Sequence, residues 1–270
     1  MGLSQIARGY DYLLLDLDGC VWVGEEPTAD APRAVSALRE AGKRLCFVTN
    51  DARHSTEEFV RKLWRLGFQA SLEEVVTVGG ALQHRLAVRG GGSAFVIGSA
   101  AIHRHVADAG LRIVNGSEFA SRADVVVLAG HDRFDYAELR VATQAALRGA
   151  DVLAAGRDAT FPMPDGPWPG TGAIVAAVEY ASGRTALSVG KPEAWLYRTA
   201  IDRLGDGRAL VVGDRVDADL AGAAAAHLDA ALVLTGASTR AEAEAAKDPA
   251  PVAVADTLAD LVLDGRATAG

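Results

Sequence analysis

Cysteine is almost absent from the 270 residues: only Cys20 and Cys46 occur. Two cysteines in or beside apolar runs build no disulfide framework, and a reducing compartment is expected. No uninterrupted apolar run approaches the roughly 20 residues needed to span a bilayer, and Met1 to Tyr10 lacks the apolar stretch of a secretory signal. These absences predict a cytoplasmic protein with no membrane partner. Positive charge is in deficit, with 27 Lys and Arg against 35 Asp and Glu and a net charge of −8. That balance argues against nucleic acid as a partner, because phosphate backbones are held by concentrated Lys and Arg. No repeat of fixed period is visible, which excludes a solenoid. What remains is a chain that is 50% hydrophobic and 23% charged, the composition of a globular enzyme with a sizeable core in one large or two medium domains.

Short apolar runs alternate with amphipathic stretches. Tyr12–Asp16 reads as a strand, Ala31–Ala41 as a helix and Arg44–Thr49 as a strand, together a βαβ unit. Leu13 to Leu15 form the continuous apolar run of a parallel strand buried on both faces. Asp30 and Pro32 suit the helix start and Gly42 its stop. Ser55 and Glu58 have capping-box spacing ahead of a helical stripe of Phe59, Leu63 and Leu66. The middle of the chain repeats the alternation, with strands at Ala94–Ile97, Val125–Ala129 and Val152–Ala155 and helices around Ala100–Ala109 and Tyr136–Arg148. Thr160–Gly172, dense in Pro and Gly, reads as an irregular connection. A helix at Glu193–Leu204, a strand at Ala209–Val212, a helix near Ala218–Ala226 and a strand at Ala230–Leu234 follow. From Ala237 onward the pattern is helical, without evident chemistry. The expected fold class is α/β: a Rossmann-like, doubly wound parallel sheet core from residues 1–79 and 187–270, with an inserted α/β domain at 80–186.

Chemistry concentrates at the strand ends. Asp16-Leu17-Asp18-Gly19 follows the first buried strand; two carboxylates there are costly unless paired or metal-bound, although an acidic turn with a helix cap is the plainer alternative. Thr49-Asn50 ends the second strand and can donate hydrogen bonds to phosphate, or serve an ordinary turn. In Gly190-Lys191-Pro192 the lysine stands between a strand and a helix, where its ammonium either meets an anion or is simply solvated. Gly213-Asp214-Arg215-Val216-Asp217-Ala218-Asp219 carries three acids within six positions at another strand end. Hard-oxygen ligands of this kind suit Mg²⁺, with Asp217 the one better read as a helix cap.

Taken in order, Asp16-x-Asp18-Gly19, Thr49-Asn50, Lys191 and Gly213-Asp214-x-x-x-x-Asp219 resemble the four motifs of the haloacid dehalogenase superfamily. The insert between Thr49 and Lys191 resembles a C2-type cap. Leu45–Asn50, Gly130–Tyr136, Pro169–Ala173 and Gly190–Pro192 look like landmarks of its NagD-like branch of small-molecule phosphatases. The resemblance implies Asp16 as nucleophile, Asp18 as acid and base, and Lys191 bridging nucleophile and phosphate. Asp16 and Asp214 would hold Mg²⁺ with the backbone carbonyl of Asp18, and Asp219 would orient a metal-bound water. Gly19, Thr49 and Asn50 would contact the phosphate of a small phosphorylated metabolite, and cap surfaces would allow a homodimer. A second carboxylate at Asp18 disfavours dehalogenation.

Two places depart from the branch. Asp51 stands where another Asn is common, putting a negative charge near the expected phosphate, offset by Arg53. In the cap, Ala155-Gly156-Arg157-Asp158 replaces the usual Thr-Asn ahead of an Asp, which leaves Arg157 and Asp158 as substrate contacts by position alone. The competing functions are a phosphotransferase of the same superfamily and a non-catalytic metabolite-binding Rossmann protein; no Gly-x-Gly-x-x-Gly follows the first strand to support the latter.

Overall fold

A computed structural model describes residues 2–163 and 165–265. They divide into two units, one of residues 1–49, 56–76 and 191–270 and one of residues 50–55 and 77–190.

The first unit is built on a six-stranded sheet in the order Ala253–Ala255, Asp229–Val233, Ala209–Gly213, Tyr12–Asp16, Arg44–Thr49, Val75–Thr77. The register between Tyr12–Asp16 and its neighbours is parallel on both sides, Leu13 facing Leu210 and Leu45. Because side chains alternate along a strand, the apolar runs split between two faces. Leu13, Leu15, Leu45, Phe47, Leu210 and Val212 join one core with Val35 and Leu38 of helix Ala31–Glu40, Phe59 and Leu63 of helix Thr56–Arg65, and Leu258 and Val262 of helix Leu258–Val262. Helix Trp195–Leu204 contacts Tyr12–Asp16 and Arg44–Thr49, and its Tyr197 and Ala200 are fully buried. The sheet is therefore doubly wound. Successive strands run outward from Tyr12–Asp16 on one side before the chain returns on the other, so strand order reverses beside Asp16, the place where open α/β sheets hold ligands.

The second unit has its own five-stranded sheet, ordered Leu187–Ser188, Asp151–Ala154, Val125–Leu128, Gly92–Ile97, Leu111–Ile113 and parallel at each pairing. Phe95, Ile97, Val126 and Leu128 pack with Ala142 and Ala145 of helix Tyr136–Leu147 and with Val175 and Val178 of helix Thr171–Ser182.

Several elements differ from the sequence expectation. Helices Val78–Arg89 and Thr171–Ser182 and strands Val75–Thr77 and Ala253–Ala255 were not anticipated. Thr160–Gly172 is not irregular: Thr160–Met163 and Gly166–Pro169 pair as an antiparallel hairpin, around Pro164, which lies outside the described residues. The tail is not purely helical, since Ala253–Ala255 extends the core sheet. The expected helix near Ala218 opens as a π-helical turn at Val216–Leu220 before Ala221–Ala225.

Candidate active site

Asp16 closes its strand, and Asp214 directly follows the neighbouring Ala209–Gly213 strand. Lys191 is 5% exposed. Its Nζ donates to Asp16 Oδ1 and, at 2.7 Å, to Asp219 Oδ1. The hydroxyl of the fully buried Tyr197 donates to the same Asp219 oxygen at 3.1 Å. The other Asp219 oxygen accepts the Arg215 backbone N–H at 3.1 Å. Asp219 is thus fixed from three directions, by an ammonium, a phenol and the turn preceding its own helix.

Asp214 is held by a loop that side-chain patterns do not reveal. Ala237 N–H donates to Asp214 Oδ2 at 2.6 Å, and Ser238 N–H to the Asp214 carbonyl at 3.1 Å. Thr235 Oγ1 donates to the Gly19 carbonyl, tying this loop to the turn after Asp16. A Cβ on Gly236 would run into the Asp214 carboxylate, which could move aside only by giving up the Ala237 hydrogen bond. Gly236→Ala is therefore expected to swing Asp214 out of the cluster and weaken divalent-cation affinity by about tenfold or more, measured by cation titration of activity. Unchanged affinity would show that Asp214 holds no cation.

One oxygen from each of Asp16, Asp214 and Asp219 lies within 4.8 Å of the others, and all three residues are buried. An octahedral ion with ligands at about 2.0–2.1 Å separates neighbouring oxygens by about 2.9 Å and opposite ones by about 4.1 Å. The all-oxygen, all-carboxylate set suits a hard divalent cation. Electrostatics agree: three buried carboxylates face one ammonium, an imbalance that a bound cation offsets. Burial pushes the Asp16 carboxyl well above its ordinary range, and Asp219 and Asp214 push it further, against the pull of Lys191. Burial also raises Asp214. For Lys191, burial alone would favour the neutral amine, but Asp16 and Asp219 outweigh it and hold the ammonium charged well above the usual lysine range.

The Asp18 carboxylate stands outside this cluster. It is exposed, and its Oδ1 accepts the indole N–H of the buried Trp22 at 2.8 Å. Trp22 stacks on Phe59 with ring centroids 6.5 Å apart, and Lys62 Nζ lies 4.5 Å from its ring centre. One Asp18 oxygen is thereby oriented while the side chain stays open to solvent. Trp22 was not singled out from sequence; its place four residues after Asp18 is the only signal. Gly19, expected to contact substrate, is otherwise committed. Its N–H donates to the Trp22 carbonyl at 2.7 Å and its carbonyl accepts from Thr235, and its φ of +86° and closeness to Asp214 need a residue without Cβ. Asp217, expected to cap the following helix, instead forms a two-point ion pair with the Arg215 guanidinium at 3.0 Å. Thr49 ends the Arg44–Thr49 strand and is buried.

Asn50, Asp51, Arg157 and Asp158 belong to the second unit. A Cβ on Gly190 would meet Asn50 Oδ1 at 2.8 Å, so the glycine before Lys191 makes room for the Asn50 amide. Asp51 Oδ1 accepts the Arg53 N–H at 2.6 Å, and Asp51 Oδ2 pairs with His54 Nδ1 at 2.9 Å. Burial works against ionisation, but hydrogen bonds from His54 and Arg53 hold the Asp51 carboxyl down at about 2. Its charge is offset locally, by His54 as well as the anticipated Arg53. The Arg157 guanidinium is engaged by Glu179 at 2.7 and 3.1 Å and by the Ala186 carbonyl at 2.7 Å. It braces helix Thr171–Ser182 through Glu179. The Asp158 carbonyl accepts the Gly172 N–H at 2.9 Å at the start of that helix.

Comparison with known proteins gives the family. Residues 13–112 match the family model of haloacid dehalogenase-like hydrolases and residues 188–261 a second model of the same kind. A D-glycerol 3-phosphate phosphatase from Mycobacterium tuberculosis is 40% identical over 240 residues, covering 88% of this chain and 66% of that one, so the chain spans just under two thirds of that relative. A glycerol-3-phosphate phosphatase from Gallus gallus is 35% identical over 257 residues, covering 87% of this chain and 82% of its own. The chain belongs to the haloacid dehalogenase-like hydrolases. Among solved structures, the glycerol phosphate phosphatase of Mycobacterium tuberculosis in complex with magnesium superposes with a TM-score of 0.89 at 38% identity, over 97% of this chain and 79% of that one. Within this haloacid dehalogenase-like frame, Tyr197, Trp22 and the Thr235–Ser238 loop are the supporting parts that sequence motifs left unmarked. Among the described residues no helix is long and apolar enough to cross a membrane.

Proposed function

We propose that this protein is a Mg²⁺-dependent phosphatase of small phosphorylated metabolites, with glycerol phosphate and sugar phosphates as the first candidates. The observation that carries this reading is the Asp16 carboxylate, buried at the topological switch point, held by Lys191 and grouped with Asp214 and Asp219. The glycerol-phosphate phosphatases among its relatives support the substrate class.

In this mechanism Asp16, Asp214 and Asp219 are the residues that would hold Mg²⁺, together with the Asp18 carbonyl, and the cation would supply charge to offset the repulsion between a carboxylate nucleophile and a phosphate. Asp16 attacks phosphorus, forming an aspartyl-phosphate as the bond to the leaving alkoxide breaks. Asp18 gives its proton to that alkoxide and then takes one from the water that attacks the aspartyl-phosphate, releasing inorganic phosphate and restoring Asp16. Lys191 fixes the orientation of Asp16 and neutralises charge on the transferring group. Thr49 and Asn50 supply hydrogen bonds to phosphate oxygens. Asp158 and the hairpin at Thr160–Pro169 belong to the unit proposed to choose the leaving group, a C2-type cap at 80–186. The two buried, free cysteines support a reducing, cytoplasmic location. Exposed Tyr136 and Tyr180 on the inserted unit are candidates for a homodimer contact, checked by light scattering.

Phosphate release from a panel of phosphomonoesters, with water as the only acceptor, tests the proposal. Turnover is expected with Mg²⁺, loss to background in EDTA, and recovery when Mg²⁺ is restored in excess. Undiminished turnover in EDTA would refute the metal-dependent mechanism, and phosphate transfer seen only with an added sugar acceptor would make the protein a phosphotransferase.

A further inference from the structure

An open cavity of about 650 Å³ lies in the first unit, at the end of the sheet opposite the catalytic carboxylates. Arg44, on its wall, begins the Arg44–Thr49 strand and pairs in register with Tyr12, the first residue of the strand that Asp16 ends. Four residues of strand, about 13 Å, separate the two levels. The cavity is therefore no subsite of the catalytic centre.

Its wall is basic in an acidic protein. Arg39, Lys43, Arg44 and Arg203 line it against Glu73 and Glu74. The Arg39 guanidinium is paired to both Glu74 oxygens, at 2.6 and 2.9 Å. The other three cations are placed by backbone carbonyls. Lys43 Nζ donates to Tyr10 at 2.6 Å and Arg8 at 3.1 Å, Arg44 to Leu204, and Arg203 to Val75 at 3.1 Å. Neutral carbonyls orient these groups without cancelling their charge, and none of the three has a carboxylate partner among the described residues. Arg39 Nε is in addition a buried donor with no acceptor among them. The buried Leu45 and Leu204 back this wall, and the volume falls in the range of small-ligand sites.

We propose that this cavity binds a nucleotide-sized organic phosphate, its phosphates among Lys43, Arg44 and Arg203. Three oriented, uncancelled cations suit a group with two or more negative charges. The inference is independent of the catalytic mechanism, because the two sites share no residue.

Removing divalent cations separates them further. In EDTA the catalytic carboxylates outnumber Lys191 and repel phosphates, whereas the basic cavity needs no metal. Calorimetric titration of phosphate, AMP and ADP into the full chain in EDTA is expected to show one saturable site, tightening from phosphate to AMP to ADP and weakening with salt. Ser71→Asp adds a negative charge to the wall while keeping a side chain able to cap the Leu72–Glu74 turn. It should weaken ADP binding by about tenfold or more, and Lys43→Gln by roughly threefold to tenfold. Asp16→Asn should leave it unchanged. No saturation by about 10 mM, equal affinity for phosphate and ADP, insensitivity to both cavity variants, or loss in Asp16→Asn would each overturn the proposal.

Discussion

Asp16→Asn is expected to lose at least about 10⁴-fold in turnover while its melting temperature in divalent-free buffer rises. The loss follows from the proposed chemistry, since an amide is no nucleophile toward a phosphate ester and the remaining carboxylates are positioned around the reacting group. The gain in stability follows from charge. Without a cation, three buried carboxylates share one ammonium, and burial raises the Asp16 and Asp214 carboxyls above their ordinary range. A carboxyl whose pKa is raised by folding stabilises the fold while protonated, and that contribution is lost as pH rises from the ordinary aspartate range through the folded-state value. Removing Asp16 removes part of that loss, because Asp219 remains to pair with Lys191. The metal-free variant should therefore show a flatter decline of stability with pH than the metal-free wild type. Equal decline in the two proteins, followed by thermal melts between pH 4 and 8, would show that the cluster is not charge-strained.

Lys191→Ala should fail in the opposite sense, losing turnover and stability together. Deleting one partner of a buried ion pair costs about 3–5 kcal/mol, and here the lost ammonium leaves both Asp16 and Asp219 without their cation. A drop in melting temperature on the order of 10 °C in EDTA is expected, narrowed by excess Mg²⁺, which takes over part of the neutralisation. Turnover should fall by about 10²–10³ even with saturating Mg²⁺, the scale of removing a preorganised electrostatic group. A variant within about threefold of wild-type turnover would reduce Lys191 to a structural counter-ion. The contrast between the variants matters more than either alone, because a general folding defect lowers both melting temperatures.

The core strands were legible because parallel strands buried on both faces must be apolar without interruption, as Leu13 to Leu15 and Leu210 to Val212 are. Val75–Thr77 and Ala253–Ala255 are edge strands of three residues, and Ala253–Ala255 is only half-buried, so neither leaves a run long enough to read. Helix Val78–Arg89 opens on Val78, Gly79, Gly80 and Ala81, all buried; a first turn with two glycines and no polar residue carries no helical period to read. Helix Thr171–Ser182 was hidden by Gly170 and Gly172, which look like loop punctuation. Gly170 admits the carbonyl of Asp158, and Gly172 those of Arg157 and Asp158, where a Cβ would collide.

The site divides in the same way. Asp16, Lys191, Asp214 and Asp219 show themselves because charged groups buried after strands are costly and therefore conspicuous, and the exposed Asp18 only by its place beside Asp16. The Asp214 cradle is backbone N–H geometry at Ala237 and Ser238, which any small residues satisfy. Position in a motif says nothing of a partner: Glu179, 22 residues from Arg157, became visible only once the helix carrying it was placed.

The strand order also has a consequence for synthesis. Tyr12–Asp16 borders Ala209–Gly213, and Tyr12 pairs with Ala209 across 197 residues of chain, whereas the five strands of the inserted sheet all lie between Gly92 and Ser188. On a ribosome adding about 5–20 residues per second, the central strand waits many seconds for its second neighbour with apolar faces incompletely covered, while the later-made unit already has every strand it needs. The second unit is thus placed to fold before the first, reversing the order of the chain, and the apolar Leu13–Leu15 run is the segment most in need of protection during that interval.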